Sequence, residues 1–127
     1  MTDSADLARR FVDAIVARDA EALTATLSPT VDFKGMTPGR FWEASTPEGV
    51  VDAVLGHWFE EHDHISAVEE VTEGEVVDTR RISYRFALEL AEGPYVAEQQ
   101  MYYRTGPAGI AHLRIMCSGF RPRPATD

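Results

Sequence analysis

A chain of 127 residues, 44% of them hydrophobic, can bury one core without staples, and its single cysteine, Cys117, excludes an intramolecular disulfide. The net charge of −9 excludes the basic stripe that unspecific nucleic-acid binding needs. No apolar run approaches the roughly 18 residues of a membrane-spanning helix, and the acidic start lacks the basic n-region of a secretory signal, so a cytoplasmic protein is expected.

Asp3 or Ser4 caps a first helix, in which Leu7, Phe11, Ala14 and Ile15 form one apolar stripe ending near Arg18. Asp19 caps a short second helix with Leu23 and Leu27 on one face, and Pro29 stops it. Residues 30–33 read as a short strand, and Gly35-Met36-Thr37-Pro38-Gly39 as a loop. The third helix has the clearest signature. Ser45 or Thr46 caps it, Pro47 sits in its first turn, and Glu48 suits the positive end of its dipole. Val50, Val51, Val54, Leu55, Trp58 and Phe59 then repeat at helical spacing.

An acidic exit, Glu60-Glu61-His62-Asp63-His64, leads to a strand predicted over 65–72, and Glu73-Gly74-Glu75 reads as the turn that follows. Three long strands come next, over 80–90, 95–104 and 110–117. In the first, Ile82, Tyr84, Phe86, Leu88 and Leu90 alternate with Arg81, Ser83, Arg85 and Glu89. In the last, Ala111, Leu113, Ile115 and Cys117 take the inner face, and His112, Arg114 and Met116 the outer. The middle strand puts Tyr95, Ala97, Gln99, Met101 and Tyr103 inward, although a one-residue bulge would exchange them for the set containing Gln100 and Tyr102. One domain over 1–120 is expected, with a disordered tail over 121–127. The arginines at 80, 81, 85, 121 and 123 are read as neutralising neighbouring carboxylates.

The order of elements resembles the nuclear transport factor 2-like superfamily. The resemblance is carried by Ala8-Arg9-Arg10-Phe11-Val12-Asp13-Ala14, Arg18-Asp19-Ala20-Glu21-Ala22-Leu23 and Leu27-Ser28-Pro29-Thr30-Val31-Asp32-Phe33. Val68-Glu69-Glu70-Val71-Thr72-Glu73-Gly74-Glu75 and Gly106-Pro107-Ala108-Gly109-Ile110 carry it further. It implies an α+β, cystatin-like cone: a strongly curved antiparallel sheet covered by three N-terminal helices. The superfamily includes ketosteroid isomerases, dehydratases and SnoaL-like polyketide cyclases, besides binding and assembly subunits. Where ketosteroid isomerases place a Tyr and two Asp, this chain has Phe11, Phe33 and Gln100 or Met101. Where SnoaL-like cyclases place an inward His and Asp, it has Leu113 and Ile115.

The expected site is therefore a mainly apolar pocket for a small hydrophobic molecule, with no cofactor and no metal. Phe11, Ile15, Phe33, Val54, Trp58, Tyr84, Phe86, Gln99, Met101, Tyr103, Leu113 and Ile115 would line it. An isomerase, dehydratase or cyclase would have to use His62, Asp32, Tyr84 or Tyr103. His62-Asp63-His64 reads as solvated loop, because the spacing names no third metal ligand. Cys117 reads as a buried, inert thiol. The outer sheet face, at His112, Arg114 and Met116, is the expected homodimer contact, and a dimeric interaction module without a ligand is the remaining alternative.

Overall fold

The structure is a computed structural model that describes residues 4–124. Asp3, one of the two expected first caps, and the tail end 125–127 lie outside the described residues. Helix α1 (Ser4–Ala17) buries the predicted stripe of Leu7, Phe11, Ala14 and Ile15, and Ala8 and Val12 beside it. Arg18 ends it in the left-handed region at φ 53°. From there the Arg18 guanidinium donates to the carbonyls of Phe59 and Leu55, tying the end of α1 to the third helix. Asp19 caps α2 (Ala20–Ala25) by accepting from the Ala22 N–H at 3.0 Å.

The next stretch departs from expectation. Pro29 does not end a helix, because α2 already stops at Ala25; it lies inside β1 (Leu27–Thr37). Its missing N–H is tolerated there because the pairing of β1 with β6 is irregular between Leu27 and Asp32. The expected loop 35–39 shrinks to Pro38-Gly39, with Gly39 at φ 79°, and a strand that the sequence reading missed, β2 (Arg40–Ala44), returns along β1. Thr46 then caps α3 (Pro47–Ala53), accepting from the Gly49 N–H at 3.1 Å. Helix α3 continues into a π-helix, Val54–Trp58.

The remaining chain is β3 (His64–Val76), β4 (Thr79–Leu90), β5 (Gly93–Gly106), β6 (Gly109–Cys117) and β7 (Arg121–Pro122). Glu73-Gly74-Glu75 is not a turn but part of β3; the turn falls at Val77-Asp78, with Val77 at φ 56°. The sheet runs β2-β1-β6-β5-β4-β3, curved and unclosed. It is mixed rather than purely antiparallel, since β1 and β6 are parallel. The long stretch of chain between them supplies the crossover that a parallel pair requires. Part of the expected tail is ordered as well. Strand β6 stops at Cys117, which leaves the first part of β5 with a free edge, and Arg121–Pro122 pairs there.

Alternation divides the sheet as predicted on β4 and β5, with Ala97, Gln99, Met101 and Tyr103 buried. On β6 the register shifts between Arg104 and Thr105, so Ile110 is buried in place of Ala111. The helices cover the inner face, and one hydrophobic cluster joins them to it. Its tightest seam is Trp58 against Gly35: a Cβ on residue 35 would lie 2.7 Å from the indole ring. Gly35→Ala is therefore expected to destabilise the fold by about 1–3 kcal/mol, the usual range for overpacking. Urea unfolding followed by tryptophan fluorescence would show this as a lower midpoint with an unchanged slope.

Candidate functional site

All twelve expected lining residues are buried on the inner side of the sheet or on the helices facing it. Phe33 and Trp58 have ring centroids 5.8 Å apart, and Trp42 meets Trp58 edge-on at 6.1 Å. Tyr84 lies against Phe86 at 5.0 Å, and Phe86 against Phe59 at 5.2 Å. The site is thus two packed aromatic groups joined by aliphatic residues. Several surface cavities touch its residues singly: Ile115 in an outer groove, Gln99 at the end of β6, and Tyr103 in two clefts near Arg80.

Within this apolar wall runs a short polar row. Tyr84 on β4, Gln99 on β5 and Cys117 on β6 are successive cross-strand neighbours. The Tyr84 hydroxyl donates to Gln99 Oε1 at 2.6 Å, which fixes the amide with its nitrogen free. Among the described residues, two buried side-chain donors have no acceptor, Gln99 Nε2 and Trp58 Nε1. Buried polar atoms are rarely left so, and an unmet one costs about 1–3 kcal/mol.

The groups considered for acid–base work do not meet. Asp32 lies exposed on the outer face, where Arg114 contacts its carboxylate at 3.4 Å, and that hydrogen bond holds its pKa below the ordinary value. His62 is exposed in the loop after the π-helix. Tyr84 and Tyr103 share the inner face, but Gln99 and Tyr103, four residues apart on β5, place them roughly 13 Å from each other. Burial pushes the Tyr84 phenol far above its usual pKa, so it is a hydrogen-bond donor rather than a base.

Glu60, His62 and Asp63 offer ligand atoms within 4.8 Å of one another. The Asp63 carboxylate already accepts from the Glu60 N–H at 3.0 Å, which closes the turn into β3. His64 begins β3 and is exposed.

The outer face carries a feature that the sequence reading only partly found. Phe41, Met36 and Met116 are 53%, 47% and 60% exposed, and they pair in register across β2, β1 and β6. With Gln100, Tyr102, Lys34 and Arg114 they line a groove of about 340 Å³. Phe41 and Met36 were hidden by reading 35–39 as loop; their alternation about Pro38-Gly39 is the hairpin signal that could have found them. His112 is half-buried, and desolvation together with Arg114 and Arg104 lowers its pKa.

The sequence matches no protein-family model and no curated protein. Solved structures do match. A proposed isomerase from Bacillus subtilis superposes with a TM-score of 0.75 at 15% identity, over 91% of this chain and 86% of its own. An NTF2-like protein from Burkholderia thailandensis gives 0.68 at 14% identity, over 93% and 92%. A protein with a ketosteroid isomerase-like fold from Catenulispora acidiphila, solved in complex with trimethylamine, gives 0.66 at 14% identity, over 91% and 88%. The fold is that of the nuclear transport factor 2-like proteins.

This NTF2-like fold keeps Tyr84 neutral by burial, and the sign of the linkage follows. A phenol whose folded pKa is raised contributes stability that is present below the unfolded value, about 10, and is lost as pH rises beyond it. Stability should therefore fall above about pH 10. Tyr84→Phe should flatten that alkaline fall while lowering stability at neutral pH by about 1–3 kcal/mol, because it leaves Gln99 unpaired. Urea midpoints for both proteins between neutral and alkaline pH would check this.

Proposed function

We propose that this NTF2-like chain binds a small, uncharged and mainly apolar molecule against the inner face of its sheet. The proposal involves none of the acid–base chemistry of ketosteroid isomerases or SnoaL-like cyclases. The observation that carries it is the pair of buried donors without acceptors, Trp58 Nε1 and Gln99 Nε2, set among apolar side chains. A ligand oxygen reaching either one would supply its missing acceptor, and the neighbouring aromatic side chains would take the ligand's hydrocarbon body. The trimethylamine complex of the Catenulispora protein is consistent with small-molecule binding in this fold. An isomerase-, dehydratase- or cyclase-type activity is less well supported, because Asp32, His62, Tyr84 and Tyr103 are dispersed.

Native mass spectrometry and thermal unfolding with size-matched lipophilic ketones and hydrocarbons test this. The ketones should be retained and raise the melting temperature; at 100 times Kd the gain is about 2.7 kcal/mol. Gln99→Met and Trp58→Phe should each weaken ketone binding. If no compound is retained, the unpaired donors are a feature of the core and the reading fails.

A second reading, compatible with the first, is favoured by the exposed row Phe41–Met36–Met116: the outer face pairs with a second copy of the chain. Strands β2, β1, β6, β5 and β4 offer roughly 500 Å² of outer face. Two copies would then bury about the 1,000 Å² that a specific interface needs. Lys34 and Glu43 sit opposite each other on this face, and neither has an ion pair among the described residues. A two-fold contact would bring each against the other's counterpart. Light scattering should give twice the chain mass of 14.1 kDa. Met116→Glu should give a folded monomer, and a wild type that is monomeric at high concentration would refute the contact.

A further inference from the structure

The chain that follows β6 is one residue out of step with the sheet. Cys117 faces Gln99 and Arg121 faces Val96, so the chain takes one more residue than β5 to cover the same stretch, a bulge at Gly119–Phe120. Gly119 supplies the left-handed conformation that such a bulge uses, at φ 77°. Unbroken alternation would put Phe120 on the outer face with Met116; the bulge turns it inward instead. Its ring stacks on Phe59 with centroids 5.8 Å apart.

Phe120 is the outer end of a run of rings. Phe59 meets Phe86 edge-on at 5.2 Å, and Phe86 lies 5.0 Å from Tyr84. Tyr84 in turn donates to Gln99, whose Nε2 is unmet. Phe59, Phe86 and Tyr84 are at most 1% exposed, whereas Phe120 is half-buried. A molecule that enters along this run has Phe120 to displace first.

What holds Phe120 in place lies at the surface. Strand β7 is two residues long, and both are exposed. The Arg123 N–H donates to the Pro94 carbonyl at 3.0 Å, and its guanidinium pairs with Glu69 on β3 at 2.6 Å, the two side chains 37% and 34% exposed. Ser118 is tied more firmly, donating to the Glu98 carbonyl at 2.8 Å and accepting the Glu98 N–H at 2.9 Å. The chain is thus fixed up to the bulge and weakly tied beyond it. A short ladder and a half-exposed ion pair are contacts that open well below global unfolding.

We propose that residues 119–123 form a gate, which swings out about Gly119 while the rest of the fold stays intact and uncovers the Phe59 end of the interior. The molecule admitted is the small apolar ligand of the proposed site, and that part alone rests on the earlier reading.

Cys117, the chain's single cysteine, is buried and accepts from the Gly119 N–H at 3.4 Å, so it reports when the gate leaves. Its labelling by methyl methanethiosulfonate, followed by intact-protein mass, should proceed at a rate independent of urea below the unfolding transition. Phe120→Ala should speed it by about tenfold or more, the effect of losing a packed ring. Arg123→Glu should speed it about two- to fivefold with little change in the urea midpoint, and adding Glu69→Arg should reverse that gain. If labelling follows global unfolding, or if Arg123→Glu leaves its rate unchanged, the gate is refuted. Association of cyclohexanone should quicken in Arg123→Glu by the same factor as the labelling. Cyclohexanone that binds at an unchanged rate refutes the gate as the entrance. If neither it nor any other ketone binds, the ligand reading fails, and the labelling still decides the gate.

Discussion

The contact of the Trp58 indole with Gly35 fixes how the helical layer sits on the sheet. It works only because β1 has no side chain at that position, and because α3 runs into a π-helix instead of ending. A π-helical turn is uncommon and less favourable than an α-turn, so something must hold it. Arg18 does so by donating to the Leu55 and Phe59 carbonyls, which the end of the helix leaves without intrahelical donors. One left-handed arginine thus connects α1, the π-helix and, through Trp58, strand β1. The inner aromatic wall follows from that connection, since Phe33 and Trp42 pack on the indole.

The sheet gives this wall its polar interruption. Alternation makes every second residue of β4, β5 and β6 face inward, and at one level that residue is Tyr84, Gln99 or Cys117. Replacing Gln99 with an aliphatic residue would remove the unmet amide donor but leave the buried Tyr84 hydroxyl without its acceptor. The chain instead carries an amide whose oxygen is satisfied and whose nitrogen is not. The amide thus serves Tyr84 with its oxygen while its nitrogen stays unmet, the unfavourable half of a partly satisfied polar pair.

Much of the fold was legible because its signals were local and redundant. The Asp19 and Thr46 caps, the stripe through Leu7, Phe11 and Ile15, and the alternation of Ile82, Tyr84 and Phe86 each rest on neighbouring residues. What failed depended on partners distant in sequence. Pro29 and Gly35 look like breaks until β6 and Trp58 are placed beside them. The parallel β1–β6 pair and the docking of Arg121–Pro122 on β5 leave no local trace. The lining residues were legible as an inward set, since inwardness is a matter of period. Their unmet donors were not, since those depend on which atoms reach an acceptor.

The absence of converging acid–base groups has a structural counterpart at the end of β6. Here β6 stops at Cys117, Ser118 still bonds to Glu98 on β5, and the chain pairs with β5 again at Arg121–Pro122, beside Tyr95 and Val96. The end of β6 lies at the level of the inner face that carries Tyr84, Gln99 and Cys117. The unmet donor of Gln99 thus sits at the level where β6 ends, in a mainly apolar interior whose other polar groups are spread apart.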